Sequence, residues 1–455
     1  MKSRKLFGTD GIRGKANTFP MTCEVAMSLG RAVTHYFQSK SKSKAKKPLI
    51  ILGKDTRLSC YMLELAFSAG VCSQGGRVIL TGPLPTPGVA FAVSSMRANA
   101  GVMISASHNP YFDNGIKLFD QGGNKLPDDV ELKLEEMIFN PKLIPSRPSN
   151  DVGRAERLDE VLGRYIVYVK SGLSKEIDLE NMRLVVDCAN GAAYKVGPMI
   201  FEELGAEVFP IGVNPNGQNI NLGVGSLHPH LAQQDVLKYK GDLGICLDGD
   251  ADRLIIIDET GNIIDGDKLI GLFAKLMFDR GEVKKGDEVV GTKMSNLGLE
   301  NYIKSLGLNF YRANVGDRYI LERMKKSNAC LGGEPSGHII LGKESTTGDG
   351  IKSALKVIEC MKYYQKKLSE LIVDFELFPQ IIKNAYVKTK TPFEEVAPIQ
   401  TVMGHVKKKL GNKGRVILRY SGTESLARVM VEGEDLELID RLCNEIVEVV
   451  SKELS

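Results

Sequence analysis

The sequence lacks any apolar run of the roughly 20 residues that a membrane-spanning helix needs, so no such helix is expected. Its first residues, MKSRKLFGTDGIRG, carry early positive charge with no apolar segment behind it, and no secretory signal is expected. The eight cysteines (Cys23, Cys60, Cys72, Cys188, Cys246, Cys330, Cys360 and Cys443) form no C-x-x-C pair. That spacing predicts reduced, mostly buried thiols and a cytoplasmic setting. The six histidines do not cluster as zinc ligands. His228 and His230, in 227-LHPH-230, flank a proline ahead of a helical pattern and read as a helix entry. Charge of one sign is missing too. Lys and Arg total 60 against 56 Asp and Glu, a net charge of +4, which points to neither nucleic acid nor a membrane surface. The one basic run, 40-KSKSKAKK-47, reads as a solvated loop between a helix and a strand.

What is present is a long globular chain. With 455 residues, 43% of them hydrophobic and 25% charged, three or four domains are expected. Three segments share one pattern: 48–82, 183–212 and 288–316. Each opens with a β-branched run, as a strand buried on both faces does. A small polar loop, a helical pattern, a glycine and a second apolar run follow. This is the strand–helix–strand unit of a largely parallel sheet. Each unit precedes a further strand ending in an unusual loop: 100-AGVMISASHNP-110, 242-DLGICLDGDADR-253 and 329-ACLGGEPSGH-338. Ligands of open α/β sheets bind beyond the carboxyl ends of the strands, so these loops predict one shared cleft. The last part reads strand, helix, two strands and an amphipathic helix, with 420-YSGTES-425 between the close strands. The fold class is therefore α/β, with three similar mixed or parallel-sheet domains and a smaller C-terminal α+β domain around a central cleft. Boundaries fall near residues 155, 255 and 370, giving segments 1–155, 156–255, 256–370 and 371–455.

The loops carry the chemistry. Ser107 stands in S-A-S-H-N-P, without the glycines of a hydrolase elbow. His108 is adjacent, and adjacent side chains of an extended chain point oppositely, which disfavours a triad. Alone, Ser107 reads as a turn residue before Asn-Pro. Asp248, Asp250 and Asp252 alternate in 247-LDGDADRL-254. In extended chain they would share a side and need a cation, with hard oxygen ligands suiting Mg²⁺ or Ca²⁺. An EF-hand is excluded: Arg253 occupies the glycine position, and the flanks LGICL and LIIID are strands. Three carboxylates on one divalent ion leave room for an anionic ligand, which a phosphate on Ser107 would supply.

Around 420–428, Arg419, Ser421, Gly422, Thr423 and Arg428 offer guanidinium, hydroxyl and backbone N–H groups to an anion, with an ordinary turn as the alternative. Glu334, Ser336 and His338 suit a sugar diol, or a glycine-rich hairpin. Arg13 and Lys117 could neutralise a transferring phosphoryl group, or be surface charges.

As a set, S-A-S-H-N-P, D-G-D-A-D-R, G-E-x-S-G-H and R-x-S-G-T-E resemble the α-D-phosphohexomutase family along the whole chain. KLFGTDGIRG, 315-VGDRYI-320, 345-STTGDGI-351 and 428-RVMVEG-433 look most like its bacterial branch that acts on glucosamine phosphates. The resemblance implies that Ser107 is carried as phosphoserine and that Mg²⁺ is held by Asp248, Asp250, Asp252 and a phosphate oxygen on Ser107. It implies that Glu334 and Ser336 read sugar hydroxyls, and that Arg419, Ser421, Gly422, Thr423 and Arg428 hold the phosphate not being transferred. Lys117, His108, His338 and Arg13 would lie near the transferring group, with the general base unassigned. It further implies glucosamine 1,6-bisphosphate as intermediate or activator, a phosphoryl donor that primes Ser107, and a place in cell-wall precursor synthesis. A homodimer is left open. The sequence departs from the family at Pro335, usually glutamine, and at T-E-S-L-A in place of T-E-P-L-I. Neither change removes an assigned group. Glucose or mannose phosphates, a non-catalytic phospho-sugar sensor and a metal-dependent phosphatase stand as alternatives.

Overall fold

Continuous β-branched runs become strands with both faces covered. Ala100–Ile104 and Leu243–Leu247 are buried at every position, as parallel strands sandwiched between helices must be. The computed structural model describes residues 5–8, 10–40, 47–421 and 425–454. Most of the basic run therefore lies outside the described residues, as do Gly422 and Thr423. The chain divides into two compact units, Met1–Met294 with Leu306–Ile372, and Ser295–Ser305 with Val373–Ser455.

The first unit contains three sheets built on one plan. In the first, Leu49–Lys54 pairs in parallel with Arg77–Pro83 on one side and Ala100–Ile104 on the other, and Asp113–Phe119 returns antiparallel beside Ala100–Ile104. In the second, Arg183–Asp187 lies between Glu207–Ile211 and Leu243–Leu247, and Leu254–Asp258 returns antiparallel. The third repeats this with Glu288–Thr292 between Asn309–Ala313 and Leu331–Gly333, and Ile339–Leu341 returning. All three sheets thus run second–first–third–fourth, with only the fourth strand reversed. The loop between third and fourth strands is the same topological place each time. It holds Ser107, the three aspartates, and Glu334 with His338.

The first sheet carries additions that the repeat does not foretell. The strands Phe7–Gly8 and Gly11–Lys15 extend it beyond Asp113–Phe119, and Arg154–Arg157 pairs with Arg77–Pro83 at the other edge. Register sets Arg13 opposite Gly115. Lys117, two residues on, therefore projects from the same face as Gly115's neighbours across the pair. His230 opens the helix His230–Tyr239 after Pro229, as the sequence predicts. All eight cysteines are free.

The second unit has its own core. Gln380–Tyr386, Leu426–Gly433 and Gly414–Tyr420 form an antiparallel sheet with Leu426–Gly433 in the middle. The final helix, Leu436–Leu454, buries Ile439, Leu442, Cys443, Ile446 and Val450. That three-and-four spacing makes one apolar stripe, which packs with Ile399, Val406 and Leu410 of the helix Ala397–Leu410. Among the described residues no helix is long and apolar enough to cross a membrane.

Candidate active site

Ser107 follows a fully buried strand and is itself buried. Its φ of 52° lies in the left-handed region, which costs a non-glycine residue on the order of 1–3 kcal/mol unless the surroundings impose it. Here they do. Asn221 Nδ2 donates to the carbonyls of Ser107 and Asn109 at 2.9 and 3.0 Å, and Arg57 Nη2 donates to the same two oxygens at 3.2 and 2.5 Å. Ser107 N–H donates to Ser105 Oγ at 2.9 Å. So held, Ser107 Oγ donates to Asp248 Oδ2 at 2.5 Å. The left-handed turn also corrects the expectation for His108. The chain here is not extended, and His108 Nδ1 comes within 3.3 Å of Ser107 Oγ. Burial, then Arg253 and Arg13, push the His108 pKa down to about 4.

Asp248, Asp250 and Asp252 are buried and converge, each offering an oxygen within 4.8 Å of the others. The expected pleat does not bring them together. Residues 249–251 form a turn, Ala251 has φ 58°, and the loop folds its carboxylates inward. Burial, then the Asp252 and Asp250 charges, raise the Asp248 pKa to about 8. At Asp252 burial acts upward too, but Lys117 first, then His338 and Arg253, outweigh it and hold the carboxyl well below its ordinary value. Lys117 Nζ donates to Asp250 Oδ2 at 2.9 Å and Asp252 Oδ2 at 3.1 Å. Both contacts take Oδ2 atoms. Asp250 Oδ1 and Asp252 Oδ1 are buried without any hydrogen-bond partner. Asp252 Oδ1 has the His338 ring 3.6 Å away, whereas a buried carboxylate oxygen left unpaired, as at Asp250, is costly unless a cation meets it. Three converging hard donors fit a divalent ion of the Mg²⁺ or Ca²⁺ type.

Around this centre opens a cleft of about 370 Å³ whose lining includes Asp10, Arg13, Ser107, Asp252, Arg253, Glu334 and His338. The structure thus brings the three repeated loops together, with Arg13 and Lys117 beside them. Arg13 is paired to Asp10, and Asp10 also meets Lys125 at 2.6 Å and Lys117 at 3.5 Å. Those cations, against the upward effect of burial, keep Asp10 well below the ordinary carboxylate range. Glu334 Oε1 accepts from Gly316 N–H at 3.0 Å, and Ser336 Oγ is buried without a partner. His338 Nδ1 lies 3.6 Å from Asp252 Oδ1, while Gly348 N–H donates to Nε2 at 3.2 Å. Burial lowers the His338 pKa, yet Asp252, Asp317 and Glu334 outweigh it and raise it to about 9. A second ring proton would face the Gly348 N–H, so that contact opposes the charged form while the carboxylates favour it.

The second unit holds the remaining predicted residues. Arg419 and Arg428 sit directly opposite each other on adjacent antiparallel strands. Like charges so placed repel, and burial together with Arg428 lowers the Arg419 pKa. Ser421, at the end of that strand, is buried, and its carbonyl accepts from Lys390 Nζ at 2.7 Å. The described residues of this hairpin thus include two facing guanidiniums, with an ammonium bound to the carbonyl at the strand end.

Sequence reasoning missed Arg57, Thr86, Asn221 and Asp10. Thr86 Oγ1 donates to Asp250 Oδ2 at 2.6 Å across 164 residues of chain. Nothing local in 84-LPTP-87 signals that contact. Asp10 was within reach, because it lies in the same G-T-D-G-I-R-G stretch as Arg13.

Family models described as phosphoglucomutase/phosphomannomutase alpha/beta/alpha domains I, II and III match residues 4–144, 163–261 and 265–378, and the model of the C-terminal domain matches 383–449. The chain is 50% identical to a protein of Citrifermentans bemidjiense over 452 residues, covering 99% of this chain and 98% of the relative. It is 51% identical to one of Pelobacter propionicus over 452 residues, covering 99% of each. Both relatives are named phosphoglucosamine mutase. Among solved structures, a phosphoglucomutase/phosphomannomutase family protein of Burkholderia thailandensis superposes with TM-score 0.80 at 21% identity, over 98% of this chain and 97% of that one. The Aspergillus fumigatus N-acetylphosphoglucosamine mutase, solved with GlcNAc-6P and magnesium, gives TM-score 0.70 at 17% identity, over 100% of this chain and 96% of that one. Four consecutive domain matches and full-length relatives at half identity, on a fold whose three loops meet at one acidic centre, establish that the chain belongs to the phosphoglucomutase/phosphomannomutase family.

Proposed function

We propose that this protein is a phosphoglucosamine mutase, interconverting glucosamine 6-phosphate and glucosamine 1-phosphate through a phosphoserine at Ser107. One observation carries the reading: the Ser107 hydroxyl lies 2.5 Å from Asp248, within a buried trio of carboxylates. In the forward step the bond from phosphorus to Ser107 Oγ breaks as a bond to the free sugar hydroxyl forms. The hydroxyl proton leaves to a base in the cleft, and the sugar becomes the 1,6-bisphosphate. That intermediate turns over; the bond from its other phosphorus to the sugar oxygen then breaks as a bond to Ser107 Oγ forms, and the proton lost by the Ser107 hydroxyl passes to the sugar oxygen left behind. A phosphoserine carries about −1.5 to −2 charge; Mg²⁺ held by Asp248, Asp250, Asp252 and a phosphoserine oxygen would offset its repulsion of a phosphorylated substrate.

Arg13 and Lys117 are assigned to charge stabilisation at the transferring phosphoryl group, where positioning and electrostatics supply most of the catalysis. His108 and His338 are assigned to the surroundings of the same group, with the general base unassigned. Glu334 and Ser336 are assigned to the sugar hydroxyls, and the orphaned Ser336 Oγ supports an external partner. Arg419, Ser421, Gly422, Thr423 and Arg428 are assigned to the phosphate at rest. These roles fall to four segments, 1–155, 156–255, 256–370 and 371–455. Eight free thiols support a cytoplasmic setting.

The test is a side-by-side turnover assay on glucosamine 6-phosphate, glucose 6-phosphate and mannose 6-phosphate, using phosphorylated enzyme and Mg²⁺. Highest kcat/KM on the glucosamine ester is expected. Preference for another hexose overturns the substrate assignment. Binding without turnover makes the protein a sensor, and release of free phosphate makes it a phosphatase.

A further inference from the structure

Asp250 is held at both its main chain and its side chain by a residue outside its own loop. Thr86 opens the helix Thr86–Ser95 and is buried. Its backbone N–H donates to the Asp250 carbonyl at 2.9 Å, and its Oγ1 donates to Asp250 Oδ2 at 2.6 Å. One residue of the first repeat thus grips both the main chain and the side chain of a residue in the second. Lys117 Nζ takes the same Oδ2 at 2.9 Å. With two donors on Oδ2, Oδ1 is left buried and without a hydrogen-bond partner.

Thr86 is itself stiff. Pro85 precedes it with φ −50° and ψ 146°, and Pro87 follows it at the helix start, where proline is preorganised for the first turn. A β-branched residue also has few χ1 choices. The hydroxyl direction is therefore fixed before any ion arrives. Donors outside a metal's ligand set orient the ligands, and losing one typically costs about 10–100-fold in metal affinity.

We propose that Thr86 is a positioning residue for the divalent-cation site, setting cation affinity by fixing the Asp250 carboxylate through its hydroxyl. This rests on the assignment of the aspartate trio as a metal site. It also makes cation affinity depend on the docking of the first repeat on the second, since donor and ligand come from different sheets.

The experiment measures Mn²⁺ binding to the full chain, with Ser107 dephosphorylated, from the electron paramagnetic resonance signal of free Mn²⁺. Wild type, Thr86→Val and Thr86→Ser are compared. Valine keeps the shape and the backbone N–H but removes the hydroxyl; serine keeps the hydroxyl. The expected result is Mn²⁺ affinity at least about tenfold weaker in Thr86→Val and within about threefold of wild type in Thr86→Ser. In turnover assays the Mg²⁺ needed for half activation should rise in Thr86→Val while KM for the sugar phosphate stays within about twofold. A purely structural role would not separate those two numbers. Wild-type affinity in Thr86→Val, or a serine variant as weak as the valine one, overturns the proposal. A wild type that binds no Mn²⁺ removes the metal assignment itself, which distinguishes the two failures.

Discussion

At the residue scale, the Ser107 hydroxyl and the Asp248 carboxylate meet at 2.5 Å. Ser107→Ala removes the hydroxyl assigned to carry the phosphoryl group. Mutase turnover should fall at least about 1,000-fold, with the melting temperature close to wild type, because the donors from Arg57 and Asn221 bind main-chain carbonyls that alanine retains. Intact-mass measurement should show the phosphate on wild type and none on the variant. Asp248 gives a second test through pH. A carboxyl whose pKa is higher folded than unfolded holds its proton more tightly when folded. Its stabilising contribution is complete below the ordinary value of 3.8 and is lost as pH rises through about 8. His338, raised to about 9, changes in the same direction. His108, lowered to about 4, contributes fully above 6.5 and is constant there. The metal-free, dephosphorylated protein should therefore melt at a lower temperature at pH 8 than at pH 6.5. Added Mg²⁺ should raise the melting temperature more at pH 8, where the ligands are deprotonated. Calorimetric scans at the two pH values, with and without Mg²⁺, check both.

At the element scale, the strand-to-strand loops are what the repeated plan places, and they pack with little room. A Cβ added at Gly249 would stand 2.5 Å from the Ser107 carbonyl oxygen and 2.8 Å from Ile220 Cδ1. The first of these is backbone already held by two donors, so it cannot yield without moving Ser107. Gly249→Ala should cost about 1–3 kcal/mol of stability and lower kcat more than 10-fold, since small misplacements of reacting groups are costly. Thermal melts and steady-state kinetics on the one variant read the two effects. Much of this level is legible in the sequence. The buried runs, the polar loop at the end of each third strand and the D-G-D-A-D spacing are local signals, and they place the fold and the acidic centre. Local geometry is not legible in the same way. Extended chain would have put His108 away from Ser107 and the three aspartates on one pleated face; turns with φ 52° at Ser107 and 58° at Ala251 do otherwise. Arg57, Thr86 and Asn221 act across long stretches of chain, and composition or periodicity carries no trace of a partner so distant.

At the scale of the whole molecule, the assignments divide cleanly between the two units. The acidic trio, Ser107 and the cleft around them belong to the first, whereas the facing pair Arg419 and Arg428 belongs to the second. Arg419 and Arg428 face each other on adjacent strands, and the Arg428 charge works against that of Arg419, so removing the Arg419 side chain is expected to cost the sheet little. Arg419→Ala should therefore leave the second unit as stable as wild type or slightly more so. Losing one charge-assisted contact to phosphate, worth about 1.5–3 kcal/mol, should raise KM for the sugar phosphate about 10–100-fold with a smaller change in kcat. Mn²⁺ affinity should be unchanged, because no ligand of the acidic centre is touched. Kinetics, a melt and a Mn²⁺ titration on this single variant test the division directly. A wild-type KM would remove the phosphate role from Arg419, and a parallel loss of Mn²⁺ affinity would show that the two units do not act as separate binding modules.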